Sequence, residues 1–332
     1  MTPQTAQTHV DGPASTTEQV VAELKRRPAF VMVSHVKPDG DTLGAGLALG
    51  LALKKLGKRV HYFQQDPVPR NLRFLPDTQY VAREIPGDLP PDTLYVFCDM
   101  SDWRRAGEFL PPLDRENMLD IDHHLGNSHF GKLNYVLETE CSTGTTVMHL
   151  LRAMQVPIDR EIATCILTTI MTDTGGFMHS NASPEALDLS AEMMRAGADK
   201  QAITEEIFLK KRVAATRLLG RIIDAMKFED GGRYCYSHVD DEMLDATGAD
   251  GEDTEDTVNV LRGQEGVEVA ALFKAIEGEI RVSLRSSGRV NVQAAAASLG
   301  GGGHFRASGL TYAGTLPDAI AAVHAALHAQ GL

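Results

Sequence analysis

Five carboxylates and three histidines lie at or just beyond the ends of apolar segments that resemble strands or helices. They are His35, Asp39, Asp41, Asp99, Asp122, His123, His124 and Asp173. Ligands at the ends of buried elements can converge on one rigid point, whereas scattered surface acids cannot. Oxygen and imidazole ligands without a thiolate suit Mn²⁺ or Mg²⁺ better than structural zinc. Two such ions side by side commonly hydrolyse phosphate esters, so these residues predict that chemistry.

The elements that position these residues follow the pattern of a parallel α/β sheet. Residues 42–56 have the periodicity of a helix that stops at Gly57. Short apolar runs predict strands at 29–34, 59–63, 93–98 and 117–121. Strands that alternate with helices indicate βαβ units, whose functional groups gather at the carboxyl ends of the strands. We therefore expect His35, Asp99 and Asp122 to lie together.

The remainder of the chain predicts a second, different domain. Residues 143–226 read as successive helices without a strand, and a new pattern begins near Gly232. Strands are predicted at 233–239, 267–276 and 279–285, and helices at 290–299 and 316–329. The expected fold is α/β, with a mostly parallel N-terminal sheet, a helical linker and a smaller α/β domain with a mixed sheet. The predicted boundaries are a tail at 1–17, a catalytic domain at 18–198, a linker at 199–228 and a second domain at 229–332.

Composition restricts the partners and the compartment. The 332 residues are 43% hydrophobic, which is ample for two packed cores. A net charge of −13 argues against coating long nucleic acids, including long duplexes, but not against a small anionic substrate. No apolar run suits a membrane span, and the N-terminus lacks the order of a signal peptide. Four widely spaced cysteines predict a reduced cytoplasm.

The candidate ligands differ in how strongly their context favours a metal. Asp-Gly-Asp alone is common in turns, but His35 four residues before Asp39 adds a third ligand at one corner. Asp122-His123-His124 after a buried strand would be costly unless metals or hydrogen bonds satisfied it. Seven other histidines match no motif and are assigned surface or core roles: His61, His129, His149, His179, His238, His324 and His328.

Taken in order, these motifs resemble those of the DHH phosphoesterase superfamily. The matching segments are His35-Val-Lys-Pro-Asp39-Gly-Asp41, Asp99-x2-Asp102, Asp122-His-His124 and Thr172-Asp173-Thr-Gly175. Two further segments resemble its DHHA1 substrate-binding domain: Ser283-Leu-Arg285-Ser-Ser287 and Gly300-Gly-Gly-Gly-His304. The resemblance runs from about Thr17 to the C-terminus. Chain length and domain content are most similar to the branch that hydrolyses short oligonucleotides and 3′-phosphoadenosine-5′-phosphate (PAP).

The resemblance implies a role for each candidate at the metal centre. One ion would be held by His35, Asp39 and Asp99, and a second by Asp41, Asp99, His123 and Asp173. Mn²⁺ is the ion usually associated with the family, and Mg²⁺ is the alternative. Asp122 would orient an imidazole from outside the ligand shell. His124 would approach the scissile phosphate and stabilise its charge or assist the leaving group.

The resemblance also implies a substrate-binding region. Arg285 and His304 resemble a pair that grips a substrate phosphate or base. Glycines that expose backbone N–H groups can cradle an anion, which favours a binding role over a plain flexible loop for Gly301, Gly302 and Gly303. Arg262 and Ser286 are further candidates that a structural role would explain equally well.

The predicted function is hydrolysis of short RNA or DNA oligomers, such as nanoRNA or pApA, to nucleoside 5′-monophosphates, and of PAP to AMP and phosphate. A cyclic-dinucleotide phosphodiesterase, a RecJ-like single-strand exonuclease and a family II inorganic pyrophosphatase share the core and are the enzymatic alternatives. A catalytically silent nucleotide-binding regulator is the alternative from another class. Loss of a ligand would favour the regulator, and none is missing. The sequence leaves the oligomeric state open, with a homodimer as one option.

Overall fold

The computed structural model describes residues 12–255 and 257–332, and the chain divides into two compact units. The first unit ends at Lys210 and the second unit begins at Lys211. The boundaries predicted after residues 17, 198 and 228 stay predictions. Residues 1–11 of the predicted tail lie outside the described residues, and helix α1 begins at Thr17, capped by Thr16.

The first unit contains a six-stranded sheet in which every neighbouring pair is parallel. Its strands are β1 (Ala29–Val33), β2 (Arg59–Phe63), β3 (Val81–Ala82), β4 (Leu94–Cys98), β5 (Met118–Asp122) and β6 (Leu133–Val136). The strand order β3-β2-β1-β4-β5-β6 reverses between β1 and β4. In doubly wound sheets, ligands bind beyond the carboxyl ends of the strands at such a reversal. This order places the segments after β1 and β4 side by side.

Helices cover this sheet and supply the rest of its core. They are α1 (Thr17–Arg26), α2 (Gly40–Lys55), α3 (Thr143–Met154), α4 (Arg160–Asp173), α5 (Pro184–Arg195) and α6 (Lys200–Thr204), which continues as a π-helical turn over Glu205–Leu209. Helix α2 is buried from Gly40 to Leu53 and packs against α4. Because α2 is apolar on all sides, its first turn is fixed in position by the core.

The second unit contains a six-stranded mixed sheet of order β11-β12-β10-β9-β8-β7. The strands are β7 (Lys227–Glu229), β8 (Tyr234–Asp240), β9 (Val269–Ile276), β10 (Glu279–Ser286), β11 (Gly302–His304) and β12 (Ala307–Tyr312). Only the β8–β9 pair is parallel among the described strands of this sheet. The helices are α7 (Val213–Asp224), α8 (Asp241–Thr247), α9 (Thr257–Arg262), α10 (Val292–Ser298) and α11 (Leu316–His328). Apolar clusters lie on both faces of the sheet.

The predicted fold class is confirmed: a parallel sheet with helices precedes a smaller mixed sheet. Strands β3, β6, β7, β11 and β12 were not predicted. Four of them have two to four residues, too few to show a period, and β12 contains small and polar residues. Within the described part of the chain, no helix is both long and apolar enough to cross a membrane.

Candidate functional site

His35 follows β1 and turns one ring nitrogen toward carboxylates. Its Nδ1 lies 2.9 Å from the Val36 carbonyl oxygen, which accepts a hydrogen bond and leaves the Nε2 lone pair free in the neutral ring. Nε2 is buried without a hydrogen-bond partner. It lies 3.4 Å from Asp99 Oδ2 and 3.8 Å from Asp39 Oδ1. A buried acceptor that faces carboxylates is unfavourable unless a cation lies among them.

His123 has the same arrangement of ring nitrogens as His35, at the end of the neighbouring strand β5. It follows β5, and its Nδ1 lies 3.1 Å from the Glu140 carbonyl oxygen. Its Nε2 lies 3.6 Å from Asp41 Oδ2, 3.6 Å from Asp99 Oδ1 and 3.8 Å from Asp173 Oδ2. A ring held through Nδ1 by an outer acceptor, with Nε2 facing inward, is typical of metal-ligating histidines.

Asp99 lies at the centre, within reach of both histidines. It follows β4 in a left-handed conformation with φ of 65°, which aspartate tolerates better than most residues. Thr143 Oγ1 donates to Asp99 Oδ1 at 3.0 Å, and the Arg105 guanidinium donates to the Asp99 carbonyl oxygen at 3.3 Å. Burial alone would raise the pKa of Asp99, but the surrounding imidazoles outweigh it and hold that pKa below its usual range.

Backbone amides at the start of α3 hold Asp41. Its Oδ2 accepts from the Thr143 N–H at 2.7 Å and its Oδ1 from the Gly144 N–H at 3.0 Å. Helix N-termini favour anions at this position. Burial, followed by the charges of Asp99 and Asp173, nevertheless raises the pKa of Asp41 well above its usual value. Sequence reasoning placed the helix here but missed its contact with Asp41.

Gly144 permits α3 to approach that closely. A Cβ at this position would lie 1.9 Å from Thr169 Oγ1 of α4, so a larger residue requires α3 to move. The Ser142 side chain caps the helix by accepting from the Thr145 N–H. The Ser-Thr-Gly-Thr run at 142–145 was the available signal, because it combines a cap with a small residue at a helix start.

Two other carboxylates complete the ligand-type groups. Asp39 caps α2, with its Oδ1 accepting from the N–H groups of Asp41 and Thr42 at 3.0 and 3.1 Å. Asp173 ends α4, and the Asn181 amide donates to its Oδ2 at 3.1 Å. Burial raises the pKa of Asp173 to about 7, assisted by the charges of Asp99 and Asp39. Such crowded carboxylates favour a bound cation.

Asp122 and His124 form a pair beside these groups. Asp122 Oδ1 lies 2.7 Å from His124 Nδ1, and its Oδ2 accepts from the Asn127 amide at 2.6 Å. Both oxygens of the buried Asp122 are therefore already engaged. Burial alone would lower the pKa of His124, but the hydrogen bond with Asp122 and the charge of Asp99 raise it to about 9. These contacts therefore favour the protonated form of His124.

The predicted substrate-binding residues lie in the second unit. The register pairs Arg285 with Ala307 and Ala307 with His304, so the three backbones form one row across β10, β12 and β11. Ser286 is buried, and its Oγ accepts from the Gly288 N–H at 3.0 Å, which closes the turn after β10. Arg262 is exposed at the end of α9. The row brings Arg285 and His304 into register, whereas Ser286 has a clear structural contact.

The glycine run has a packing role that its sequence did not reveal. The Gly301 N–H donates to the Ala296 carbonyl oxygen at 2.8 Å, and a Cβ at Gly301 would lie 2.4 Å from the Gly309 carbonyl oxygen. Its amide is therefore used to end α10. Gly303 has a φ of 132°, and a Cβ there would lie 2.7 Å from the Ala307 carbonyl oxygen, whereas Gly302 has open space. The cradle prediction consequently rests on Gly302 and Gly303.

The ligand-type residues of the first unit fit a divalent cation. Three groups each bring one ligand atom per residue within 4.8 Å of the others: His35-Asp39-Asp99, Asp41-His123-Asp173 and Asp99-His123-His124. The unpartnered Nε2 of His35 and the inward Nε2 of His123 provide the fit, because both lone pairs face carboxylate oxygens. We refer to His35, Asp39, Asp41, Asp99, His123 and Asp173 as the first-unit cluster.

Comparison with known families identifies both units. Residues 29–170 match the DHH family, N-terminal domain, and residues 231–329 match the DHHA1 domain. A solved structure of an exopolyphosphatase-related protein from Bacteroides fragilis superposes with a TM-score of 0.86 at 25% identity, covering 94% of this chain and 95% of that one. The fold and the candidate ligands thus define a DHH-type phosphoesterase.

Two curated relatives extend the match across most of the chain. The bifunctional oligoribonuclease and PAP phosphatase NrnA of Thermus thermophilus is 35% identical over 299 residues, which is 89% of this chain and 88% of the relative. The protein of the same name from Bacillus subtilis is 22% identical over 294 residues, covering 88% and 91%. The chain therefore belongs to the NrnA family.

Proposed function

We propose that this protein hydrolyses short oligonucleotides, such as nanoRNA and pApA, to nucleoside 5′-monophosphates, and PAP to AMP and phosphate. The inward orientation of His35 Nε2 and His123 Nε2 among carboxylates is the observation that carries this proposal. Both activities appear in the names of the relatives from Thermus thermophilus and Bacillus subtilis. The phosphate esters of both substrates would be cleaved by the same centre.

We further propose that the first-unit cluster holds two divalent ions, with Mn²⁺ the expected species and Mg²⁺ the alternative. His35, Asp39 and Asp99 would hold one ion, and Asp41, Asp99, His123 and Asp173 the other. Asp99 would be shared, since its two oxygens face different histidines. When bound, such ions supply charge stabilisation for the phosphate and a nucleophile at neutral pH.

The chain's own residues perform the remaining tasks. The hydrogen bond with Asp122 favours the protonated form of His124, whose positive charge would oppose the negative charge that develops on the phosphate oxygens. Asp122 fixes the ring through Nδ1, so the second proton of His124 is on Nε2. That proton is the one available to a phosphate oxygen or to the leaving oxygen. The amides of Thr143 and Gly144 keep Asp41 in place before any ion binds.

Substrate binding is assigned to the second unit. Arg285 would grip a phosphate or base together with His304, because their backbones lie in one row of the sheet. Gly302 and Gly303 would supply the amide cradle, with weaker roles for Gly301, Ser286 and Arg262. Arg285→Ala should mainly raise KM for pApA, and an unchanged KM would remove this role.

We also propose a reducing, cytoplasmic setting, since all four cysteines are buried free thiols. A homodimer is the assembly that we propose.

The central test is hydrolysis of pApA with Mn²⁺ by Asp99→Ala and His123→Ala. Both variants should lose activity, because each removes a group that contacts several others in the cluster. His149→Ala is the matched control: His149 is also bound to a carboxylate, Glu140, at 2.8 Å, but lies outside the cluster. Full activity in Asp99→Ala and His123→Ala, with a normal unfolding transition, would refute the two-metal proposal.

A substrate panel separates the proposed function from its relatives. Wild-type protein with Mn²⁺ should act on pApA and PAP in preference to pyrophosphate, cyclic di-AMP and a long single strand. Preference for cyclic di-AMP would indicate a cyclic-dinucleotide phosphodiesterase, and preference for the long strand a RecJ-like exonuclease. Binding of pApA without hydrolysis of any substrate would indicate a silent regulator.

A further inference from the structure

Three metal-ligand side chains meet in the second unit. His324 and His328 are four residues apart on α11, which places them on one face of the helix. Asp230 follows β7, with its Oδ2 2.7 Å from His324 Nε2 and its Oδ1 3.0 Å from His328 Nε2. The two Nε2 atoms lie 3.0 Å apart. We refer to Asp230, His324 and His328 as the second-unit cluster.

His324 is held as metal-ligating histidines commonly are. Its Nδ1 lies 3.3 Å from Glu229 Oε2, and Tyr236 donates its hydroxyl proton to Glu229 Oε1 at 3.2 Å. The His324 ring stacks on Tyr234, with centroids 5.3 Å apart and an angle of 10° between the planes. A carboxylate behind the ligating ring fixes the tautomer and increases the basicity of the inward nitrogen. The neighbours of His324 therefore prepare Nε2 as a ligand.

In the neutral tautomer that carries the proton on Nδ1, the inward Nε2 of each histidine is an acceptor. In that tautomer the Nδ1–H of His324 would face Glu229, and its Nε2 lone pair would face Asp230 and His328 Nε2. Both Asp230 oxygens and both Nε2 atoms take part in contacts of 2.7 to 3.0 Å, and acceptors this close require shared protons or a cation. The side chain of His328 is 47% exposed, so an ion can enter from solvent.

We propose that Asp230, His324 and His328 form a Zn²⁺ site in the second unit. Two imidazoles and one carboxylate suit Zn²⁺ better than the oxygen-rich sets that Mg²⁺ and Mn²⁺ prefer. In a tetrahedral site with bonds of about 2.0–2.1 Å, ligand atoms lie roughly 3.3–3.4 Å apart, so the contacts between ligand atoms would lengthen by about 0.3–0.7 Å. A small rotation of the half-exposed His328 supplies much of that movement. Water would take the fourth position.

The ion would cross-link two segments of the second unit. It would connect the turn after β7 to the last helix, across a sequence separation of 94 residues between Asp230 and His324. Closing so long a segment stabilises the folded chain by restricting the unfolded one, and metal affinity adds to folding free energy. This site is independent of the proposed phosphoesterase function, because none of its ligands belongs to the first-unit cluster.

The test counts bound Zn²⁺ on the full-length protein. Chelator-stripped wild type and His328→Ala are dialysed to equilibrium against Zn²⁺ at a pH above the usual histidine pKa. His328→Ala should bind one ion fewer per chain at the concentration that saturates the wild type. Glu229→Gln keeps all three ligands but loses the carboxylate behind His324, so it should bind that ion about 10–100-fold more weakly.

His149→Ala is the matched control, since it removes a similarly exposed, carboxylate-bound histidine that belongs to neither cluster. It should bind as many ions as the wild type. A cooperative unfolding transition in each variant excludes loss of the fold as the cause. Equal Zn²⁺ counts in wild type and His328→Ala would overturn the site. Equal counts with a difference only in the pH dependence of unfolding would show that a proton holds the cluster, which also overturns it.

Discussion

The two clusters combine histidine and aspartate in opposite surroundings. The first-unit cluster lies at the carboxyl ends of β1, β4 and β5, where His35 and Asp99 are 2% and 4% exposed. The second-unit cluster joins a turn to a helix, where the side chains of Asp230, His324 and His328 are 19%, 28% and 47% exposed. Burial restricts His35, Asp41 and Asp99 of the first cluster to fixed positions, whereas every member of the second cluster is partly open to solvent. Rigidly placed ligand groups suit catalysis, whereas a solvent-accessible metal cross-link suits stabilisation of the folded chain.

The largest expected difference between the clusters is in catalysis. His35→Ala should lower Mn²⁺-dependent pApA hydrolysis by more than the ~100-fold that loss of an outer partner can cost, because it removes an inward ligand. His328→Ala should leave that rate unchanged. Initial rates at saturating Mn²⁺ measure both. A comparable loss in the two variants would break the distinction between a catalytic and a structural cluster.

The second difference concerns packing around the first-unit cluster. Gly144→Ala should destabilise the protein by about 1–3 kcal/mol, because its Cβ would meet Thr169 and displace α3. Displacement would also release Asp41 and weaken Mn²⁺ binding. Gly220→Ala is the control: Gly220 lies within α7 with no atom near its Cβ, so the change should be neutral or stabilising by up to ~1 kcal/mol. Urea unfolding measures the stability of both variants, and Mn²⁺ titration measures their metal affinity. Equal stability and equal Mn²⁺ affinity in Gly144→Ala and Gly220→Ala would contradict this role of Gly144.

A third prediction separates metal binding from orientation within the first unit. Asp122→Asn should lower kcat by about 10–100-fold, since His124 loses the carboxylate that fixes its ring and its charge. Mn²⁺ affinity should change far less, because both Asp122 oxygens are engaged by other partners. Steady-state kinetics with Mn²⁺ titration distinguish the two effects. A parallel loss of Mn²⁺ affinity would move Asp122 into the ligand shell.

The smallest expected effect is on the second-unit cluster without metal. His328→Ala should change the free energy of unfolding by less than about 1 kcal/mol in the presence of a chelator, because exposed ion pairs contribute little. Added Zn²⁺ should then raise the Tm of the wild type more than that of His328→Ala. Thermal unfolding with and without Zn²⁺ gives both values. A large difference already present in chelator would mean that the cluster stabilises the unit without an ion.

The sequence predicted the strands that lead into the first-unit cluster because they are short apolar runs followed at once by His35, Asp99 or Asp122. It could not predict β3 or β11, which depend on pairing with a neighbouring strand rather than on a pattern of their own. The packing role of Gly301 was hidden for the same reason, since a Cβ at this position would meet the carbonyl oxygen of Gly309 on a neighbouring strand.

Residues that support the site were harder to predict than the candidate ligands. Thr143, Asn127 and Asn181 follow no motif spacing, and their roles depend on hydrogen bonds formed only after folding. His324 and His328 were assigned surface or core roles. Their spacing of four residues on a predicted helix was a usable signal, but Asp230 lies 94 residues before His324 and only the sheet brings it near.

The contact between Asp41 and α3 has an evolutionary consequence. Because backbone N–H groups hold Asp41, any residue other than proline at position 143 preserves that donor. Selection for this contact therefore acts on the position of the helix, and the side chain at 143 can drift except where its hydroxyl binds Asp99. A distant homologue can retain the grip on its aspartate with a different residue at this position. A structure of that homologue would show this backbone hydrogen bond, whereas a sequence alignment would not record it.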